Sequence, residues 1–178
     1  MLWHENIPVV QVQDAERKTT TIKIIAGSYE NTSAPNPNPD SWAADLNKEV
    51  HIWILALDPY ASFILPATAP EINRSLYFFQ GDQLNAEGFE IPPMQRLIAN
   101  ASEKLTLKNG SKQAKMLLLQ QRPIREHVFK QGSFVANSRE EINTAFSRFR
   151  ESEFGGWPWP THEHTRSQSG SFCYFPRW

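Results

Sequence analysis

The segment Leu105–Gly110, with the sequence LTLKNG, and the apolar run Met116–Leu119, with the sequence MLLL, decide the fold class predicted for this chain. Alternating Leu105 and Leu107 are typical of a strand with one buried face, and the second run predicts another strand. Asn109-Gly110 stands between them, and both residue types tolerate the positive φ of a two-residue hairpin turn. We therefore predict a β-hairpin at this position.

Similar short strands are predicted over the rest of the first three quarters of the chain. Turn residues separate them at intervals of about 8–12 residues, which is typical of an antiparallel sandwich or barrel. Three prolines make Tyr29–Ser41 a connection, since proline donates no ladder hydrogen bond. The strand candidates are Val9–Gln13, Thr20–Ile25, Glu49–Leu57, Ser62–Leu65, Ser75–Phe79 and Leu84–Ile91, the last with a hairpin turn at Glu87-Gly88 and an end at Pro92-Pro93.

One helix follows the strands. Asn137 or Ser138 can cap it, Glu140 and Glu141 suit its first turn, and Gly155-Gly156 ends it. Its apolar stripe is Ile142, Ala145, Phe146 and Phe149. We predict a β domain over residues 1–136, with the helix and an aromatic tail over 137–178 packed on it. A partner could also cover that tail, so the candidate interaction surface is Phe154, Trp157, Trp159, Phe175 and Trp178.

Composition narrows the function classes. The chain has 178 residues and a formal net charge of −1, so it lacks the basic excess of most nucleic-acid-binding proteins. Lys104, Lys108, Lys112 and Lys115 are interpreted as a solvated face. No apolar run approaches the roughly 20 residues of a membrane helix. We therefore expect neither nucleic acid nor a membrane as partner. The single Cys173 permits no intramolecular disulfide, so we expect a cytoplasmic protein.

The sequence contains no catalytic motif. Nucleophile elbows, phosphate-binding glycine loops and Cys-x-x-Cys pairs are all missing. Of the five histidines, His51 lies inside a predicted strand, and we interpret it as a core histidine with a satisfied hydrogen bond. His162 and His164 lack a third ligand at useful spacing. No catalytic residue is therefore predicted.

Four motifs resemble the pirin family. Pirins carry a P-(I/L)-x-E-(P)-V segment, then G-P-F-V-M-N with E-E-I in a helix, then F-G-x-W-P. The corresponding residues here are Arg122–Val128, Gln131–Ser138, Glu140–Ile142 and Phe154–Trp159, and the chain departs from the pattern at Ser133 and Ala136. Ile24–Tyr29 also resembles the segment that opens the second half of pirins.

The pirin resemblance implies a cupin, which is a small antiparallel jelly roll. Pirins hold two cupins in tandem, and this chain resembles the C-terminal one. The family's Fe(II) site, with three His and one Glu, belongs to the N-terminal cupin. With Gly81 and Gly110 taken as the cupin glycines, the resemblance places Arg74 and Gln113 in two ligand positions, and Ala67–Pro70 offers no histidine. No metal or other cofactor is therefore expected in this chain.

The resemblance leaves several functions open. The favoured one is a structural or interaction module of a pirin-type protein, whose interior near Phe63, Leu65, Tyr77 and Phe79 would be packed or hold a small apolar ligand. The alternatives are an Fe-dependent quercetin 2,3-dioxygenase-like enzyme, or a regulatory partner in transcription. A half that lost its neighbour would expose apolar surface, so a homodimer or a partner cupin domain is expected.

Overall fold

The described part of the chain forms two compact units, which divide between residues 123 and 124. The computed structural model describes residues 4–156. The second unit includes the two strands that precede the helix, because those strands contact the helix. Among residues 4–156, no helix is long and apolar enough to span a bilayer.

Fourteen strands are formed, and ten of them build the two main sheets of the first unit. Six antiparallel strands make the larger sheet: β1 (Val9–Gln13), β2 (Thr19–Ala26), β5 (His51–Leu57), β7 (Asn73–Gln80), β10 (Gln95–Asn100) and β12 (Ala114–Gln121). Their spatial order is β1-β2-β5-β12-β7-β10.

The smaller sheet has four antiparallel strands: β6 (Ser62–Leu65), β8 (Leu84–Ala86), β9 (Phe89–Ile91) and β11 (Leu105–Asn109). Their order is β6-β11-β8-β9. Two short strands, β3 (Ser28–Tyr29) and β4 (Thr32–Ser33), pair within the loop that the prolines predicted. Every strand pairing among the described residues is antiparallel, which confirms the predicted all-β, antiparallel fold.

The two sheets share one hydrophobic core. Along β12 the buried residues alternate as Ala114, Met116, Leu118 and Gln120, the period of a strand with one inward face. Side chains from both sheets fill this core. The largest fully buried apolar members are Phe78, Ile22, Ile24, Leu55, Leu57, Leu65, Leu76, Leu84, Leu107, Met116 and Leu118.

The hairpin predicted at Asn109-Gly110 is wrong, because β11 and β12 belong to different sheets. Neither residue has a positive φ. The buried Asn109 amide instead donates to the backbone oxygens of Leu57, Asp58 and Lys112 at 2.7–3.0 Å. Gly110 is required by close packing, since a Cβ there would lie 2.7 Å from an Asp82 carboxylate oxygen. Asn109-Gly110 therefore lies in the connection between the two sheets, where Asn109 forms hydrogen bonds and Gly110 allows close packing.

Other local predictions had mixed outcomes. The Glu87-Gly88 hairpin between β8 and β9 is confirmed, with φ values of 48° and 90°. Strand β10 was missed, because Pro92-Pro93 suggested an end to strand structure. Phe79, expected near the interior, is 44% exposed. It follows the inward-facing Phe78, so strand alternation points it outward.

The second unit contains a hairpin and the helix. Strands β13 (Phe129–Gln131) and β14 (Phe134–Ala136) pair and contact helix α1 (Arg139–Ser152). The predicted capping is confirmed, since Ser138 Oγ accepts from the Glu141 amide at 3.2 Å. A short 3-10 turn over Glu153–Gly155 follows.

Candidate functional site

A cavity of about 250 Å³ lies in the first unit, between the two sheets. Strands β5, β7 and β12 contribute to it from the larger sheet, and β6 contributes from the smaller one. Its lining residues are Ser28, Tyr29, Glu30, His51, Trp53, Ile64, Pro66, Thr68, Arg74 and Gln120. This mixture of one buried cation, neutral polar groups and aromatic rings differs from the apolar core, so the cavity is the candidate site.

Arg74 is the central polar residue of the cavity. It lies in β7 with only 1% of its surface exposed. Its Nε donates to Gln120 Oε1 at 2.8 Å, and its Nη2 donates to the backbone oxygen of Pro66 at 2.8 Å. The remaining nitrogen, Nη1, is buried without a hydrogen-bond partner among residues 4–156. Both observed acceptors are neutral, so they orient the guanidinium without neutralising its charge.

Gln120 transmits this orientation to His51. Its Oε1 accepts from Arg74, so its Nε2 is the atom that lies 3.1 Å from His51 Nδ1. An amide nitrogen only donates, and therefore His51 Nδ1 must accept. The neutral ring then carries its proton on Nε2. The predicted hydrogen bond of His51 is confirmed, and the bond fixes the tautomer.

Aromatic rings form one side of the cavity. His51 stacks on Trp53 with ring centroids 5.2 Å apart and planes at 14°. Tyr29 meets Trp53 edge-on at 5.5 Å. The indole Nε1 of Trp53 is buried and, within the part of the chain that is described, has no partner. The cavity lining thus includes two residues with unpaired buried donors, Arg74 and Trp53.

Burial and charge both affect the titrating groups around this cavity. Burial lowers the pKa of His51, and the Arg74 cation lowers it further, while Glu49 opposes them. His51 is therefore neutral at neutral pH. Burial also lowers the pKa of Arg74, and Glu49 again opposes the shift. Glu49 is itself 4.0 Å from Arg122 Nη2, and among residues 4–156 no carboxylate forms an ion pair with Arg74.

Gly27 holds the backbone against the His51 ring. It adopts a φ of +78°, and a Cβ at this position would lie 2.0 Å from His51 Cδ2 and 2.6 Å from the Val50 backbone oxygen. Its neighbour Ala26 follows an irregularity in the pairing of β2 with β5. Glycine therefore permits the close approach that seats His51 beside Trp53 and Gln120.

The structure separates the two residues that the resemblance placed in ligand positions. Arg74 lies in the cavity, whereas Gln113 is exposed before the start of β12. Gln120, seven residues further along, is the residue that pairs with Arg74 in register. Neither Gln120 nor the Trp53 donor was predicted from the sequence as part of the site. The alternation of Met116, Leu118 and Gln120 was the available signal, because it places a polar side chain on an inward face.

The candidate interaction surface lies mainly outside the described residues, which end at Gly156. This is the case for Trp157, Trp159, Phe175 and Trp178. Phe154 is described, and 63% of its surface is exposed. Within the second unit its ring lies 5.4 Å from Phe149 and 6.0 Å from Phe134, centroid to centroid.

The cavity residues do not fit the iron that the fold family implies. A first-row divalent metal needs several imidazole or carboxylate ligands with free lone pairs. Here His51 uses Nδ1 to accept from Gln120, and the buried Arg74 cation opposes a second positive charge. No group of three or more His, Cys, Asp or Glu able to hold a metal occurs in residues 4–156.

Comparison with known proteins agrees with the jelly-roll architecture. Two crystal structures of quercetin 2,3-dioxygenase from Acinetobacter baumannii are similar in fold. One is 18% identical with a TM-score of 0.69, covering 86% of this chain and 49% of that chain. The other is 14% identical with a TM-score of 0.67, covering 96% and 52% respectively. This chain therefore spans about half the length of these relatives.

The sequence itself assigns the family. No protein of curated function matches the chain. Residues 52–155 match the family model of the pirin C-terminal cupin domain. This range contains six of the cavity's lining residues: Trp53, Ile64, Pro66, Thr68, Arg74 and Gln120. His51 lies one residue before it. The chain belongs to the pirin family, as a member with the C-terminal cupin domain.

Proposed function

We propose that this chain is a metal-independent cupin module that serves a structural and interaction role in a pirin-type protein. The observation that carries the proposal is Arg74, buried at 1% exposure inside the cavity. A guanidinium remains protonated in proteins, so it occupies the interior as a permanent cation. This charge disfavours a divalent metal in the same space.

The cavity size also argues against flavonol oxidation beside Arg74. At about 250 Å³ it is smaller than the roughly 300–1,000 Å³ of pockets for drug-sized ligands. A dioxygenase activity in the complete protein would then belong to another cupin domain. The chain's length, about half that of the two dioxygenases it resembles, supports this division of roles.

The outward face of the larger sheet is the surface that we propose for docking. One row across its strands contains Ile98, Ser75, Leu119 and Ile52, which are paired in register. Ile98 is 70% exposed and Leu119 is 36% exposed. The next row contains Tyr77, Leu117 and Ile54. Large apolar side chains on an outward sheet face favour a partner over water.

The occupant that we propose for this face is a second cupin-type domain, since the chain supplies only about half of the matched relatives. In the isolated chain a second copy takes that place, giving a homodimer. We also propose a cytoplasmic location, where the single Cys173 stays reduced.

Metal analysis tests the metal-independent role. The full chain is equilibrated anaerobically with Fe(II), desalted and measured for bound iron, and its oxygen uptake with quercetin is recorded. We expect substoichiometric iron and no uptake. One tightly bound iron per chain that is lost in His51→Ala would reject the proposal and place the metal in the cavity.

Light scattering tests the docking face. We expect the molar mass of a dimer at micromolar concentration. The double variant Ile98→Lys, Leu119→Glu should have the mass of a monomer. Leu46→Lys is the matched control, because Leu46 is 90% exposed and lies outside the sheets. A monomeric parent chain, or a dimer that survives both sheet substitutions, would contradict this choice of surface.

A further inference from the structure

We propose that the Arg74 cavity is a binding site for a small aromatic monocarboxylate. The inference depends on the metal-independent interior proposed above, and adds a ligand of opposite charge. Three features of the described residues carry it: buried donors without partners, a buried cation that has no ion-paired carboxylate, and an aromatic wall in a small cavity.

The unpaired donors require an acceptor. Arg74 Nη1 and Trp53 Nε1 are both buried without partners among residues 4–156, and both residues line this cavity. Buried polar groups in native proteins almost always have hydrogen-bond partners, so two unpaired donors in one cavity indicate a ligand rich in acceptors. His51 adds a third donor, because its neutral ring is protonated at Nε2. A carboxylate only accepts, and its two oxygens match this set.

The buried charge specifies an anion. Arg74 is bonded to two neutral oxygens, from Gln120 and Pro66, and among residues 4–156 no carboxylate forms an ion pair with it. A ligand carboxylate would supply the missing charge by a short, charge-assisted hydrogen bond. Glu30, the acidic residue of the lining, is exposed, so solvent screens its repulsion of an incoming anion. Glu49 raises the pKa of Arg74 without forming an ion pair with it, and its carboxylate lies 4.0 Å from Arg122.

The wall and the volume define the rest of the ligand. Tyr29, Trp53, Ile64 and Pro66 offer apolar surface beside the donors. The stacked His51–Trp53 pair and the edge-on Tyr29 favour a planar ring. A cavity of about 250 Å³ admits a single small ring with its carboxylate, which is the size of benzoate.

Benzoate is the probe for the full chain, and benzamide is its neutral counterpart of the same shape. The indole N–H signal of Trp53, assigned by its loss in Trp53→Phe, is followed by two-dimensional NMR during each titration. We expect a saturable shift with benzoate and none with benzamide. Trp53→Phe, followed by calorimetry, should bind benzoate about tenfold more weakly, because it keeps the ring and loses one donor.

Arg74→Met should abolish benzoate binding, whereas Arg96→Gln should leave it unchanged. Arg96 is the matched control, since it lies on the neighbouring strand β10 and is exposed. If Arg74→Met fails to fold, the Trp53→Phe and benzamide comparisons still decide. No saturable shift with benzoate, equal affinity for benzamide, or unchanged binding by Arg74→Met would overturn the inference. A chain that binds neither iron nor benzoate would overturn this inference and leave the proposed function unaffected.

Discussion

Arg74 and Gln120 are paired across β7 and β12, and the guanidinium Nε donates to the amide Oε1 over 2.8 Å. This one bond decides which end of the amide faces His51, and hence where the imidazole carries its proton. The cavity's donors are therefore arranged by a chain of three side chains from three adjacent strands of the larger sheet.

Replacing Gln120 by Leu should lower stability. The substitution removes a neutral acceptor from a buried cation and a donor from His51, with an expected cost of about 1.5–3 kcal/mol. Urea unfolding at pH 7.5 measures it. Gln121→Leu is the matched control, because Gln121 is the next residue and is exposed. Equal stability of the Gln120→Leu and parent chains would show that the network contributes nothing.

Replacing Gln120 by Glu should retain stability and weaken benzoate binding. The new carboxylate would lie beside Arg74 and provide the countercharge internally, so a ligand anion would gain less. Calorimetric titration with benzoate measures the difference, which we expect to be at least about tenfold in affinity. Tighter binding in Gln120→Glu than in the parent would contradict a role for Arg74 as the anion's partner.

His51 should make stability depend on pH. Its folded pKa lies below the unfolded value of about 6.5, because burial and Arg74 disfavour the imidazolium. Below that unfolded value the unfolded chain binds more protons, so stability falls as pH decreases from 7.5 towards 5.5. The groups that act on His51 are Arg74 and Glu49, with Gln120 and Trp53 in contact.

Urea unfolding of the parent and His51→Gln chains at both pH values tests this dependence. Glutamine keeps a polar partner for Gln120 and does not titrate, so the loss of stability at pH 5.5 should be smaller in the variant. Two chains with identical pH dependence would rule out His51 as the titrating group.

Gly27→Ala should be far more destabilising than Gly88→Ala. Both glycines have positive φ, at +78° and +90°, so both substitutions strain the backbone by about 1 kcal/mol. Only at Gly27 does the added Cβ meet other atoms, His51 Cδ2 and the Val50 oxygen. Overpacking adds about 1–3 kcal/mol there. Thermal and urea unfolding compare the two variants, and equal losses would contradict the close approach.

Asn109→Asp distinguishes the observed role of Asn109 from a hairpin turn. Aspartate also tolerates positive φ, so a turn would accept it. A carboxylate cannot donate to the oxygens of Leu57, Asp58 and Lys112, so we expect a loss of about 2–3 kcal/mol. Urea unfolding above pH 6 measures it. Tolerance of this substitution would restore the turn interpretation.

Local signals predicted local structure well. Glu87-Gly88 forms its hairpin, and Ser138 caps α1, because φ preferences and capping bonds act over a few residues. The same kind of signal misled at Asn109-Gly110. There the flanking strands pair with β6, β8, β5 and β7, and those partners are remote in sequence.

The candidate site was predictable only in part. The pirin resemblance placed Arg74 at a ligand position, and strand placement predicted a bonded His51. Gln113 did not join them, because seven residues of extended chain separate it from Gln120 at the other end of β12. Gln120 was not predicted as a site residue, because a glutamine at the end of a strand is ordinarily exposed.

By itself, the sequence determined the family, the antiparallel β class and the supply of polar groups, and the pirin resemblance placed Arg74 in a ligand position. The tertiary structure decided that Arg74, Gln120, His51 and Trp53 meet in one cavity, and that two of their donors lack partners. The physical reason is that strand pairing joins residues up to 69 positions apart in the chain, as in the His51–Gln120 bond. Hydrogen-bond satisfaction is a property of those pairings, which no short stretch of sequence encodes.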